Sequence, residues 1–213
     1  MSSLPELSLH ELSLQELSLP PLSRDFYQRD TVAVANDLLG CWLVREVNGT
    51  LMGARIVETE AYCGAHDTAC HAHRGLTSRT AAMFGAPGHA YVYLVYGMHW
   101  LLNIVTEPEG SPCAVLIRAV EPVLNEQAMR ERRSMAGKQL CNGPGKLTRA
   151  LGVDKTLYGH DMTRTEQLWV SAGSHNTPIA SGPRVGIDYA EPEDRDAPWR
   201  FWLEGNPWVS KAR

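Results

Sequence analysis

Cys41-Trp42-Leu43-Val44-Arg45-Glu46-Val47-Asn48-Gly49-Thr50-Leu51-Met52-Gly53-Ala54-Arg55-Ile56-Val57-Glu58-Thr59-Glu60 decides the fold. Two strand-like runs, Cys41 to Val47 and about Leu51 to Glu60, flank Asn48-Gly49. That dipeptide tolerates the positive φ needed at both central positions of a type I′ turn, so the stretch predicts a β-hairpin. Glu60 then falls at a strand end, where a side chain can project into a cleft. Upstream, Asp30 predicts the N-cap of a helix through Leu39 that Gly40 stops, and the folded part begins near Asp25.

Downstream, Tyr62 to Pro87 reads as a long loop in which His, Gly, Ser and Thr interleave, and long loops in compact domains are often functional. Tyr91 to Val95 and His99 to Val105 read as a second hairpin with Tyr96-Gly97-Met98 at its tip. Ala114 to Ala119 predicts another strand, and Pro122 to Met135 a helix. Gly143-Pro144-Gly145-Lys146 opens a further helix with proline in its first turn, and Gly152 closes it. Pro183 to Ile187 and Arg200 to Leu203 are short strand candidates. Several short strands with hairpin signals predict a mostly antiparallel sheet with a few helices.

The chain has 213 residues, 44% hydrophobic and 21% charged, and a formal net charge of −4. This is ordinary globular composition, long enough for a core without staples. The mild acidity argues against a general nucleic-acid binder, yet Arg118 to Lys155 holds eight basic against four acidic residues, leaving room for a local basic face. The odd cysteine count of five fits reduced thiols. No signal peptide or membrane span is evident, so the expectation is a cytoplasmic, nucleoid or nuclear protein with no membrane contact. Residues 4–22 repeat Glu-Leu-Ser-Leu with no strand or helix period, predicting a low-complexity, disordered tail over 1–22 ahead of one domain over 23–213.

Glu60 is a candidate water-activating base, although a strand-end carboxylate alone is most often a solvated surface group. Tyr91, Tyr93 and Tyr96 could fill a core, as strand aromatics usually do. Tyr96, before a turn glycine, also suits an exposed wedge of the kind that unstacks a base step. Cys63, His66, Cys70, His71 and His73 carry zinc-binding atoms at no standard spacing. They define an alternative, a metal-dependent hydrolase. Free amides at Gly143 to Lys146 suit either a phosphate or a plain helix cap. A nucleic-acid-binding module without catalysis is a third reading.

Arg55 to Tyr62, Met83-Phe84, Tyr91-Val92-Tyr93 with Tyr96-Gly97-Met98, Asn103, Leu116 to Pro122, Gly143 to Leu147, Arg184-Val185-Gly186 and Pro207 to Ser210 occur in the order of the alkyladenine DNA glycosylase family. Residues 23–213 resemble that family. The resemblance implies an α+β domain on a curved, open-barrel-like antiparallel sheet. It implies a monofunctional, monomeric DNA repair enzyme, acting without cofactor or metal. Such an enzyme flips alkylated or deaminated purines out of double-stranded DNA and hydrolyses the N-glycosidic bond. By the same resemblance Glu60 and Arg118 are catalytic, and Tyr62, His71, Tyr93 and Asn103 bind the base. Tyr91, Tyr96, Met98, Lys146 and Arg184 then contact DNA. The family pattern after His71 is not kept at Leu76, Ser78 and Thr80. No lysine lies between Glu60 and Arg118, which disfavours Schiff-base chemistry and strand cleavage.

Overall fold

The computed structural model describes residues 20–211. Trp42–Val47 (β1) and Thr50–Tyr62 (β2) form the expected hairpin, with Val47 opposite Thr50. Asn48 and Gly49 take φ of 52° and 76°, the left-handed values their identities allow. β2 organises the sheet. One edge pairs along its length with Cys113–Leu124 (β5). The other edge pairs first with β1, then from Glu58 to Glu60 with Arg200–Leu203 (β8). Ala90–Val95 (β3) and His99–Thr106 (β4) extend the sheet beyond β5, Leu168–Ser171 (β6) lies outside β1, and Ile179–Gly182 (β7) pairs with β8. Every pairing among the described strands is antiparallel. Register shifts around Glu58 bend β2 against β5, as bulges do, and the result is the curled α+β half-barrel that was expected.

Helices cover one face. Arg24–Tyr27 (α1) leads into Thr31–Asp37 (α2), where the Asp30 carboxylate accepts from the Ala33 N–H at 2.8 Å, the predicted cap. Glu126–Arg133 (α3) and Pro144–Leu151 (α4) follow. α4 starts on Pro144 and stops at Gly152, whose φ of 65° is the left-handed cap predicted for it. Pro192–Asp196 (α5) is short. Val34, Ala35, Leu147 and Leu151 bury against Met52, Ile56, Ile117 and Ala119 of the sheet. A second cluster, including Cys70, Met83, Tyr91 and Ala114, holds the 62–87 segment, where short turns span Gly64–His66, His71–Arg74 and Ala81–Phe84. The five cysteines are free thiols.

Two expected elements are corrected. The helix from Pro122 starts only at Glu126, because Glu121, Pro122 and Leu124 continue the β5 ladder against Arg55, Ala54 and Gly53. Pro183 to Ile187 is not a strand. Its Val185 N–H and Arg184 side chain bond to Glu60 and Asp67 instead of a neighbouring ladder. β6 and β7 carried no prediction. The predicted tail lies outside the described residues over 1–19, while Pro21 bridges to Ser171 and the Leu22 N–H bonds to the Val170 carbonyl at 2.8 Å.

Candidate active site

Thr59 faces α2, donating its hydroxyl to the Ala35 carbonyl at 2.7 Å. The alternation of a strand then turns Glu58 and Glu60 to the opposite face, and both are fully buried. One Glu60 oxygen, Oε1, accepts the Val185 N–H at 2.7 Å and pairs with Arg118 Nη1 at 3.2 Å. The other, Oε2, accepts the Tyr62 hydroxyl at 2.9 Å. A carboxylate offers about four acceptor positions; the described residues fill three, leaving one on Oε2. Burial raises the proton affinity of Glu60, and Arg118, Val185 and Tyr62 oppose that rise.

Beside this carboxylate lies a cavity of about 580 Å³ walled by Tyr62, His71, Tyr93, Asn103 and Arg118, with Tyr96 at its rim. His71 meets Tyr93 edge-on, ring centroids 4.4 Å apart, and its Nδ1 shares a 2.9 Å hydrogen bond with the Tyr91 hydroxyl. Burial, helped by the Arg79 charge, lowers the His71 pKa to about 4, so the ring is neutral at physiological pH. A neutral imidazole does not repel a cationic guest. The Asn103 Nδ2 donates to the Tyr91 carbonyl at 3.0 Å, which fixes its amide at the wall.

Tyr96 and Met98 are 86% and 69% exposed at the β3–β4 tip. Tyr96 and Gly97 both have positive φ, 53° and 69°, closed by a Met98 N–H to Val95 carbonyl bond of 3.2 Å. Left-handed backbone is unusual for a bulky residue and is a feature of functional sites.

Two expected DNA contacts, Tyr91 and Arg184, are placed differently. Tyr91 is buried behind His71 and orients that ring instead of facing outward. Arg184 is buried in an ion pair with Asp67, with an Nη2–Oδ1 distance of 2.8 Å, and is not placed to meet a phosphate. Its guanidinium stacks over Tyr62 and Trp199 at 4.8 and 4.9 Å. Lys146 lines the cavity but is engaged by Gln139 and Asn142 at 2.8 and 2.7 Å. The Cys63–His73 set does not converge, and among the described residues no group of three His, Cys, Asp or Glu side chains could hold a metal.

Sequence reasoning missed Asp67 as an anchor. It accepts the N–H groups of Cys63 and Ala69, both at 3.0 Å, besides pairing with Arg184. Nothing local announces this, since Arg184 is 117 residues away. Asp67→Ala leaves Arg184 buried without its anion and is expected to lower stability by about 3–5 kcal/mol, read in a denaturant or thermal melt. A change below about 1 kcal/mol would mean that the pair contributes little.

An aromatic-walled cavity with a buried carboxylate beside it and an exposed aromatic at its mouth suits an enzyme that works on a base taken out of a nucleic-acid stack. Residues 25–207 match the methylpurine-DNA glycosylase family, and the chain belongs to it. It is similar to a protein of Methanocella arvoryzae, 50% identical over 190 residues that cover 88% of this chain and 94% of that one. Similar proteins occur in Carboxydothermus hydrogenoformans, 47% identical, and Desulfitobacterium hafniense, 46% identical, each covering 88% of this chain and 97% of the relative. All three carry the name "Putative 3-methyladenine DNA glycosylase".

Proposed function

We propose that this chain is a DNA repair glycosylase that flips alkylated or deaminated purines from duplex DNA and hydrolyses the bond from base to sugar. The observation that carries the reading is the acceptor position left on Glu60 Oε2 in a carboxylate otherwise held by Arg118, Val185 and Tyr62. That position suits a water molecule. Glu60 takes its proton as the water attacks the anomeric carbon, and the anion stabilises the oxocarbenium-like charge of the sugar. The base leaves with the bonding electrons. A cationic methylated purine departs readily, whereas a neutral deaminated one must first gain a proton.

Selectivity starts before chemistry. A damaged base stacks and pairs poorly, so extrusion costs less, only about a few kcal/mol. Tyrosine faces attract a cationic purine by roughly 0.5–2 kcal/mol each, and neutral His71 adds no repulsion. Asn103, fixed at the wall, crowds substituents on a normal purine. Tyr96 fills the gap left by the extruded nucleotide, and Met98 lies against the duplex beside it. Lys146 lies near the phosphates.

The test is single-turnover incubation with duplexes that each carry one defined lesion, followed by alkali. Breaks that need alkali and map to the lesion are the expected result. Intact strands after alkali for every lesion would overturn the reading.

A pH profile follows from the site. Glu60 acts as its anion and burial raises its proton affinity, so excision is lost as pH falls through a value above the ordinary carboxylate range. An acid limb at or below the ordinary value, measured on a cationic lesion, would contradict this.

A further inference from the structure

We infer that Glu58 is a positioning residue for the reaction: it holds Arg118 in the orientation that leaves Glu60 able to take a proton from water, and it ties the closing segment of the chain to the site. The inference rests on the reading of Glu60 as the base.

Glu58 is fully buried and its oxygens are taken by Arg118, Arg200 and Ser210, so its effect on the reaction passes through those neighbours. Its Oε1 accepts from Arg118 Nε at 3.1 Å, Arg200 Nη1 at 3.4 Å and Ser210 Oγ at 2.8 Å. Its Oε2 accepts the Ser210 N–H at 2.7 Å. These partners come from β5, β8 and the segment after β8, and Ser210 is 152 residues from Glu58.

The decisive geometry belongs to Arg118. Its guanidinium puts Nε on Glu58, Nη1 on Glu60 Oε1 and Nη2 toward Ser210 Oγ at 3.4 Å. Glu58 therefore occupies the edge of the fork that would otherwise be free for Glu60. A planar guanidinium released from Glu58 would pair through two N–H groups with Glu60. Such a pair would fill the open position on Oε2 and hold Glu60 as an over-stabilised, weakly basic anion. The Glu58 charge also opposes that of Glu60 across the shared arginine.

The other groups facing Glu60 do not supply this balance. Tyr62 on its own strand, Tyr93 from β3 and Tyr189 from the 183–190 segment have proton affinities raised by burial and stay neutral. Arg184 is paired with Asp67. Arg200 reaches the network through Glu58, with its Nε on the Pro183 carbonyl at 3.0 Å. Two carboxylates and two guanidiniums thus form one neutral set, and removing a member has a sign that depends on which member goes.

The experiment is the pH profile of single-turnover excision from a duplex carrying one cationic methylated purine, with a thermal melt of each variant. Glu58→Gln is expected to move the acid limb to lower pH by about half a unit or more and to lower the plateau rate by roughly 10-fold or more. Arg200→Gln leaves the Glu58 charge less compensated and is expected to move the limb the other way, to higher pH. Of the four Glu58 contacts it removes the longest, along with the Arg200 bond to the Pro183 carbonyl, and with its own melt it decides the matter alone if Glu58→Gln does not fold. Ser210→Ala removes the hydroxyl's hydrogen bonds to Glu58 and Arg118 but no charge, and should lower the melting temperature slightly with the limb close to its wild-type place. A limb unmoved in the folded charge variants, or moved the same way by both, would overturn the inference. Failure of the underlying reading looks different: wild type shows no acid limb, or Glu60→Gln retains excision.

Discussion

Glu60→Gln is expected to reduce single-turnover excision by at least about 100-fold while binding to damaged duplex stays within a few-fold of wild type. Glutamine keeps the shape of the side chain and one carbonyl acceptor, so the cavity wall survives. What it loses is the ability to take a proton from water and to place a negative charge beside the developing oxocarbenium centre. The variant also leaves Arg118, buried beside it, with one anion fewer. A melt must therefore accompany the kinetics, because loss of a buried ion-pair partner can by itself lower stability. Excision within a few-fold of wild type, in a folded variant, removes Glu60 from the mechanism.

Tyr96→Ser is expected to separate flipping from chemistry. The side chain is 86% exposed, so truncation should change stability by no more than about 0.5 kcal/mol. On a well-paired lesion the flipped state loses its plug, and excision should fall by roughly 10- to 100-fold, equivalent to about 1.5–3 kcal/mol of flipping free energy. On a bulged or single-stranded lesion the base is already out, and the loss should be small. An equal loss on paired and unpaired substrates, with a lower melting temperature, would make Tyr96 a packing residue.

Features governed by neighbouring residues were legible before the fold was known. Asn48-Gly49 specified the turn between β1 and β2 because both residues accept left-handed backbone. Asp30 and Gly152 marked helix ends for equally local reasons. The cavity was partly legible too: Tyr62, His71, Tyr93, Asn103 and Arg118, all named from sequence, lie around one space, and Glu60 is bonded to two of them, Tyr62 and Arg118.

The illegible features depend on distant partners. β5 runs through Pro122 because β2 offers it a ladder, an attraction invisible from residues 122–135 alone. Arg184 is expected to contact DNA by family resemblance, but in the fold its guanidinium is paired with Asp67. Tyr91 sits two places from Tyr93 and both line the cavity, yet Tyr91 is buried with its hydroxyl bonded to His71 while the Tyr93 ring meets His71 edge-on. Glu58 and Glu60 are identical carboxylates two places apart on one strand. Only the fold shows that one carboxylate is saturated by arginines and the closing segment while the other retains an open acceptor position.

The most direct test of the central claim is to incubate the enzyme, in the presence of a chelator, with methylated duplex DNA and to identify the released small molecule and the strand left behind by mass spectrometry. The account predicts free 3-methyladenine and an otherwise intact strand that carries an abasic site. Absence of any free methylated base, or its release only when a divalent metal is restored, would contradict it.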